Sequence, residues 1–290
     1  MVARMLETIS VLAITLGAAA PGPGTTSTIM KSEARLDYIA PPELNAGDYT
    51  LTLGLLATSF ASSAWMSPPA TSSWGGDDVD DASRDFFRLE TQGARNAAGT
   101  ASDVLVYSLL AMPLLDAGMV AANGRTGDAA RMLVIDLQSV FMTETVVNVT
   151  KNLAGRARPY TNDCADDDVA CHDPDSRKSF MSGHTARAFT AAGLICTLHG
   201  ELNLWGGGTS DTVACAVATT AAGTVGILRM MADRHYATDV LGGAAVGILS
   251  GFILPRILHF GFGGDDDGPT VSLQPMIGAD FAGATAGGTF

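Results

Sequence analysis

Apolar residues in the middle of the chain are gathered into segments long enough for helices. Six such segments lie between short breaks rich in Gly, Asn and Asp: 49–65, 104–122, 130–153, 184–199, 212–231 and 238–258. A further segment, 81–98, sets Phe86, Phe87 and Leu89 among charged residues and is typical of an amphipathic helix. The alternation typical of strands is missing from this part of the sequence. The pattern therefore predicts an all-α protein, a bundle of about six helices.

The two ends of the chain differ from this central part. Residues 1–20 combine an early Arg, an uncharged apolar run and three Ala, which is typical of a cleaved export signal; an uncleaved membrane anchor is the alternative. Residues 21–48 are rich in Pro, Gly, Ser and Thr and predict a flexible tether. The helical domain then covers 49–260. The Gly- and Asp-rich tail 261–290 alternates weakly and predicts irregular or β-like structure.

Composition narrows the classes of protein to consider. Only 16% of the residues are charged and 47% are apolar, which indicates a membrane-associated or heavily buried bundle. The net charge of −13 argues against nucleic acid as a partner and against adhesion to an anionic membrane through a basic patch. Spanning and soluble arrangements both stay open. Asp116, Asp136 and Glu144 interrupt two apolar segments, and each would cost ~2.5–3.5 kcal/mol at the centre of a bilayer.

The four cysteines fall into two kinds. Cys164 and Cys171 flank an Asp-rich stretch, and in an exported protein this spacing favours a disulfide. A zinc site that adds His172 lacks a nearby fourth ligand. Cys196 and Cys215 lie in apolar segments and are interpreted as core residues. A cleaved signal would leave the mature N-terminus outside the cytosol. If all six segments crossed the membrane, three crossings would then place the Cys164–Cys171 loop in the cytosol, where a disulfide is disfavoured. The signal, the disulfide and six membrane spans are therefore incompatible.

Three short clusters carry candidate chemistry, and the first holds two cations. Lys151 and Arg158 are seven residues apart, so on a helix both would project from one face. Pro159 would then end that helix. Two fixed cations at a helix end suit a phosphate group.

The second cluster opens an apolar helix. Ser182 is a candidate N-cap, and the backbone amides of Gly183 and His184 would point out of the helix N-terminus towards an anion. The imidazole of His184 would be placed to donate a proton to that anion.

The third cluster places a histidine near a carboxylate. His235 and Asp239 are four residues apart at the start of the last helix, which would put both on one face. A carboxylate in that position can hold one imidazole nitrogen and leave the other free as a nucleophile. Arg229, six residues before His235, supplies a third cation.

Together the three clusters match hydrolysis of a phosphate ester. The groups that would bind the phosphate are Lys151, Arg158, Ser182, Gly183 and Arg229. His235 would attack phosphorus, and Asp239 would stabilise the resulting imidazolium. His184 would protonate the leaving oxygen and then activate the water that hydrolyses the phosphohistidine. No cofactor or metal is expected, because the three cations supply the positive charge.

These clusters resemble the motifs of the type 2 phosphatidic acid phosphatase (PAP2) family, whose site is shared by vanadium-dependent haloperoxidases. The family pattern is K-x6-R-P, P-S-G-H and S-R-x5-H-x3-D; this chain has KNLAGRARP from 151, MSGH from 181 and LRMMADRHYATD from 228. Met181 stands where the family has Pro, and Leu228 where it has Ser. The missing hydroxyl at 228 bears on affinity and substrate preference more than on reaction class. The resemblance covers about residues 100–258 and implies a helical bundle with the roles given above.

The expected function is a phosphatase that cleaves phosphate monoesters outside the cytoplasm, in the periplasm or cell envelope. A lipid phosphate or isoprenyl diphosphate is the expected substrate, because the bundle is apolar, and membrane association follows from that. Two alternatives stay open: a vanadate-dependent haloperoxidase with the same pocket, which the short chain disfavours, and a non-catalytic envelope protein with a relic site. Substrate identity and oligomeric state are not determined by the sequence.

The remaining charged residues receive structural interpretations. The Asp runs at 77–81, 166–168 and 265–267 are expected to be solvated loops. Arg156 and Arg234 are expected to face solvent or to support the site from behind. The other histidines are expected on the surface or in the core: His172, His199 and His259.

Overall fold

The structure is a computed structural model that describes residues 38–72, 74–164, 169–262, 270–277 and 282–289, with only the backbone described for 169–170 and for the last two ranges. The expected signal, 1–20, lies outside the described residues, as do most of the expected tether and the Asp runs 166–168 and 265–267.

The described chain folds into a helical bundle followed by a small hairpin. The helices are α1 (Ala46–Trp65), α2 (Asp78–Phe87), α3 (Gln92–Ala122), α4 (Thr126–Ala154), the short α5 (Val169–His172), α6 (Gly183–Leu202), α7 (Thr209–Met231) and α8 (Ala237–Ile248). Two π-helical turns, Leu249–Ile253 and Arg256–Phe260, follow α8, and two 3-10 turns, Pro159–Asp163 and Pro174–Arg177, lie between α4 and α6. Strands β1 (Thr270–Ile277) and β2 (Ala282–Thr289) pair antiparallel, with Thr270 opposite Thr289. The prediction of a helical bundle is confirmed.

The amphipathic segment predicted at 81–98 is two helices rather than one. Helix α2 ends at Phe87, and Arg88 takes an extended conformation. Thr91 then caps α3, its side chain accepting a hydrogen bond from Ala94 N at 3.2 Å. Ser, Thr, Asp and Asn are favoured at this position because their side chains satisfy a free amide of the first turn. Helix α3 therefore begins eleven residues after Asp81 and continues through the apolar segment to Ala122.

Helix α6 forms the centre of the bundle. Its buried side chains pack with residues of α3 and α7 in one apolar cluster: Val106, Leu109, Ala188, Ala191, Ala192, Ile195, Ala218, Ala222 and Val225. On its other side α6 meets α8 backbone to backbone. A Cβ added to Gly247 would lie 2.4 Å from the carbonyl oxygen of Ala186, and one added to Gly251 would lie 2.1 Å from that of Thr190. Glycines spaced by four thus permit this close approach.

Among the described residues, four helical stretches are long and apolar enough to cross a membrane: Gln92–Ala122, Thr126–Asp163, Thr209–Met231 and Ala237–Phe260. Large apolar side chains on these stretches face outwards, among them Leu115, Val217 and Leu241, which are 59%, 62% and 68% exposed. An apolar surface of this kind is suited to contact with lipid.

The structure contains two disulfides. Cys164 is joined to Cys171, the pair that the sequence favours, so neither thiol is free for a zinc site. Cys196 is joined to Cys215, and the interpretation of these two as separate core residues is wrong. Helices α6 and α7 are neighbours in a helical hairpin, and their Cα atoms at 196 and 215 are 4.4 Å apart, within reach of a disulfide.

The acidic residues inside the bundle are only partly paired. Asp116 lies 3.2 Å from Nε2 of the buried His199, and Asp211 lies 2.5 Å from its Nδ1. Glu144 pairs with Arg187. Both carboxylate oxygens of Asp136 are buried without a hydrogen-bond partner in the described part of the chain. In the described part of the chain, Asp116 and Glu144 therefore have partners and the Asp136 carboxylate has none.

Candidate active site

The first cluster does not lie on one helix. Helix α4 ends at Ala154 because Gly155 adopts the left-handed conformation (φ 57°), a common helix terminator. Arg158 then has extended backbone (φ −78°, ψ 151°), so the expectation that Lys151 and Arg158 project from one helix face is wrong. Asp175 holds the Arg158 guanidinium, with Nε donating to its carbonyl oxygen and Nη2 lying near its carboxylate, both at 2.8 Å.

The second cluster forms the N-terminus of α6. Ser182 caps the helix: its Oγ accepts from Thr185 N at 3.4 Å and from Thr185 Oγ1 at 2.9 Å. The Ser182 proton is then free to be donated elsewhere. A Cβ added to Gly183 would lie 3.3 Å from Lys151 Nζ, so the ammonium group of Lys151 lies at this helix end. Amides of a first helical turn lack intrahelical partners, and a cation beside them completes an anion site.

Arg229 and His184 meet at a carboxylate from α3. Asp103 Oδ1 lies 2.8 Å from His184 Nε2 and 3.5 Å from Arg229 Nη1. The Arg229 side chain is further held by Ser102, whose Oγ accepts from Nη1 at 3.2 Å. Arg229 Nε is buried and has no hydrogen-bond partner among the described residues. Together with Asp103, the His184 and Arg229 side chains line a cavity of about 410 Å³.

His235 precedes the last helix instead of starting it. Helix α8 begins at Ala237, and Tyr236 is its N-cap. Asp239 Oδ2 accepts hydrogen bonds from Tyr236 N (2.9 Å) and Ser179 Oγ (2.5 Å). His235 Nδ1 lies 3.6 Å from the same oxygen and makes no hydrogen bond within the part described. Contacts of this kind are often long in unliganded sites and shorten in the reactive complex.

His235 is buried and lies in the field of several positive charges. Burial, followed by the positive charges of Arg158, Lys151 and Arg229, holds the pKa of His235 well below its usual value. Its imidazole therefore stays unprotonated at neutral and mildly acidic pH, with a nitrogen lone pair available. Burial and nearby arginines, Arg229 first, likewise lower the pKa of His184 to about 3. Charges from all three sequence clusters thus act on the His235 imidazole, and His184 and Arg229 line the cavity beside Asp103.

Behind this pocket lies a buried ion-pair network that the sequence interpretation missed. The run 77–81 is not a solvated loop: Asp77 caps α2, and the Asp80 side chain is 0% exposed. Arg156 is buried between Asp80 and Asp239, pairs with both, and stacks between the rings of Trp74 (4.4 Å) and Tyr236 (4.6 Å). Arg234, in contrast, is exposed.

Three acidic partners of the site could not be assigned from the sequence: Asp80, Asp103 and Asp175. A weak signal exists only for Asp103, a carboxylate that directly precedes an uncharged apolar run. Within the residues that the structure describes, no group of three or more His, Cys, Asp or Glu side chains is arranged to hold a metal ion.

Comparisons with known proteins bear on this site. Residues 133–261 match the sequence profile of the PAP2 superfamily. A lipid A 1-phosphatase from Porphyromonas gingivalis is 36% identical over 129 residues, which are 44% of this chain and 24% of that protein. The chain thus matches about a quarter of that relative's length. A crystal structure of a transmembrane PAP2-type phosphatidylglycerolphosphate phosphatase from Bacillus subtilis aligns with a TM-score of 0.46 at 22% identity, over 72% of this chain and 94% of that one.

Proposed function

We propose that this protein is a phosphatase that cleaves phosphate monoesters through a phosphohistidine at His235; its residues 133–261 match the sequence profile of the PAP2 superfamily. The observation that carries the proposal is the convergence of His184 and His235 with three cations from distant parts of the chain. The charges of Lys151, Arg158 and Arg229 all act on the buried His235 imidazole. A pocket that collects this much positive charge around a neutral imidazole is suited to a phosphoryl group.

In the first step, the phosphate is held at the α6 N-terminus. The amides of the first turn and the free proton of Ser182 donate to its oxygens, and Arg229 Nε, which has no partner in the described part of the chain, adds another donor. The unprotonated imidazole of His235 attacks phosphorus and the ester oxygen leaves. Asp239, which faces Nδ1, stabilises the positive charge that the ring acquires.

His184 acts as the general acid and then as the general base. A phosphate dianion offsets the cations that lower the pKa of His184, so substrate binding favours its protonated form. Asp103, 2.8 Å from Nε2, stabilises the same form. His184 then protonates the leaving oxygen. In the second step it removes a proton from the water that attacks the phosphohistidine, which restores the starting state.

We assign the substrate to phosphorylated lipids. The pocket is built at the ends of α4 and α7 and just before α8, where the apolar stretches begin or end. Tyr107 lines the cavity, is 64% exposed, and lies on α3 one turn from the exposed Val104. A headgroup bound in the pocket could therefore leave its acyl chains against the outer apolar face of α3. The name of the Porphyromonas relative, a lipid A 1-phosphatase, agrees with this substrate class.

We further propose that the protein is integral to a membrane and that its site faces an oxidising compartment outside the cytosol. Both disulfides support this, because cytosolic thiols are kept reduced. Cys164 follows Arg158 in the chain and borders a cavity next to the site. The side of the membrane on which Cys164 lies is therefore also the side that the site faces. Intact cells treated with an impermeant reductant and then with a maleimide polymer should become labelled at Cys164. Labelling only after lysis would contradict the outward orientation.

The phosphohistidine is tested by incubating the purified protein with ³²P-labelled phosphatidic acid and quenching at alkaline pH in SDS, because phosphohistidine is hydrolysed in acid. Wild-type protein should retain base-stable, acid-labile label, and His235→Ala should retain none and release no phosphate. His184→Ala should become labelled only slowly. Equal phosphate release by wild type and His235→Ala would refute the mechanism. Vanadate should inhibit; bromide oxidation by the vanadate-loaded protein would instead favour a haloperoxidase.

A further inference from the structure

Helix α2 contacts both sides of the His235 loop, defined here as residues 232–236. This helix lies outside the segment that matches the PAP2 profile, and no residue of it belongs to the sequence motifs. It nevertheless touches the chain two residues before His235, at Asp233, and three residues after it, at Thr238. The loop that carries the nucleophile is therefore fixed from outside the family segment.

The contact after His235 is made by Asp80. Its carboxylate accepts from Thr238 N at 3.0 Å and from Thr238 Oγ1 at 2.6 Å, which places a negative charge at the N-terminus of α8. The same carboxylate pairs with Arg156. The guanidinium of Arg156 donates in turn to Asp239 Oδ1 at 2.6 Å and to Thr238 Oγ1 at 2.7 Å. Asp80, Arg156 and Asp239 thus form a buried row that ends at Nδ1 of His235.

The contact before His235 is made by two arginines. Asp233 has a left-handed backbone (φ 57°), which non-glycine residues rarely adopt without support. Arg84 holds its carboxylate with two hydrogen bonds, Nε to Oδ1 at 2.8 Å and Nη2 to Oδ2 at 2.9 Å. Arg88 Nε lies 3.0 Å from Oδ2. The support that this strained position requires comes from α2.

We propose that Asp80 is a positioning residue for the nucleophile, acting through Arg156 and Asp239; the inference rests on the proposed phosphatase function. The geometry gives it two effects. Asp80 and Arg156 fix Asp239 so that Oδ2 faces His235 Nδ1, which leaves the other ring nitrogen directed away from Asp239. The charges of Asp80, Arg156 and Asp239 also sum to a net negative charge beside Nδ1 of His235, whose ring becomes positive when it bonds to phosphorus.

Removal of the Asp80 charge leaves Arg156 neutralised by Asp239 alone. The imidazolium of His235 is then less stabilised, so phosphoryl transfer slows although the phosphate pocket keeps all its donors. In Asp80→Asn, kcat should fall by about 10-fold to 100-fold. The inhibition constant of inorganic phosphate should stay within about twofold of wild type, because Lys151, Arg158 and Arg229 are untouched. Asp80→Glu, which keeps the charge, should recover part of kcat.

The control is Asp85→Asn, which removes the same charge from the exposed face of the same helix and should leave kcat unchanged. All variants are measured as full-length protein in detergent with phosphatidic acid, and active sites are counted from the phosphohistidine burst. If Asp80→Asn does not fold, Arg156→Lys tests the same row: it keeps the positive charge but cannot donate to Asp80 and Asp239 as the guanidinium does, and kcat should fall with the phosphate inhibition constant preserved.

Three results would overturn the inference: an Asp80→Asn enzyme with wild-type kcat per active site, a loss of kcat matched by Asp85→Asn, or a loss accompanied by equally weakened phosphate inhibition. Inactive wild-type protein that forms no phosphohistidine would instead refute the proposed function itself.

Discussion

Substitution of the glycines between α6 and α8 should separate stability from activity according to position. Gly243, Gly247 and Gly251 face α6 at intervals of four residues. A Cβ at Gly243 would lie 2.4 Å from the carbonyl oxygen of Ser182, the residue that caps α6 beside the phosphate pocket. A normal carbon–oxygen contact needs roughly 1 Å more than this, so Gly243→Ala must displace one helix from the other.

The cost follows from two opposing effects. Alanine is favoured over glycine within a helix by about 1 kcal/mol, whereas an extra methyl group in close packing costs about 1–3 kcal/mol. Each of Gly243→Ala and Gly251→Ala should therefore lower the free energy of unfolding by up to about 2 kcal/mol. For a domain of this size that lowers the melting temperature by about 2–8 °C.

Activity should respond differently at the two positions. A displacement of about 1 Å at a reacting group can cost about 100-fold in rate, so Gly243→Ala should lose most of its kcat. Gly251→Ala acts two helical turns away, against Thr190, and should keep kcat within a few-fold. Gly223→Ala on α7 is the control, because nothing lies within 4 Å of its added Cβ; it should be neutral or slightly stabilising.

Tryptophan fluorescence during heating, together with phosphate release at 25 °C, distinguishes these outcomes. Equal losses of kcat in Gly243→Ala and Gly251→Ala, or a wild-type melting temperature in both, would refute the packing argument.

Three further predictions concern the site and the disulfide. Asp103→Asn removes the carboxylate that favours protonated His184, so the alkaline limb of the kcat–pH profile should move to lower pH. The shift should be about half a pH unit, since Asp103 is half exposed and such pairs contribute at most ~1 kcal/mol. An unchanged alkaline limb would exclude the pairing. His184→Gln should slow the hydrolysis of an alkyl phosphate by about 10²–10⁴-fold. The hydrolysis of p-nitrophenyl phosphate should be affected far less, because nitrophenolate leaves without protonation. Equal losses with the two substrates would show that His184 is not the general acid. Replacement of Cys196 and Cys215 by Ser should lower the free energy of unfolding by about 3 kcal/mol with kcat retained. In a background that lacks Cys164 and Cys171, reductant should lower the melting temperature of the protein that keeps Cys196–Cys215 and not that of the protein without it.

Local sequence signals predict most of the helices and the residues proposed to contact phosphate. Helix α6 follows from a Ser at its cap and an apolar run behind it, both of which act within a few residues. The histidines and cations were recognisable because their chemistry depends on residue type and because each cluster is short. The prediction that Lys151 and Arg158 share a helix face is wrong, because Gly155 between them adopts the left-handed conformation and ends the helix.

The sequence by itself determined which segments become helices and which side chains are candidates for phosphoryl chemistry, since periodicity, caps and functional groups are properties of neighbouring residues. Only the tertiary structure decided which acids complete the site. Asp80 is 76 residues from Arg156, and nothing local distinguishes it from the exposed aspartates beside it. Asp80 is buried, and inside the bundle a charge needs a partner. The fold alone determines which partner is near, as it does for Asp103 and the distant His184.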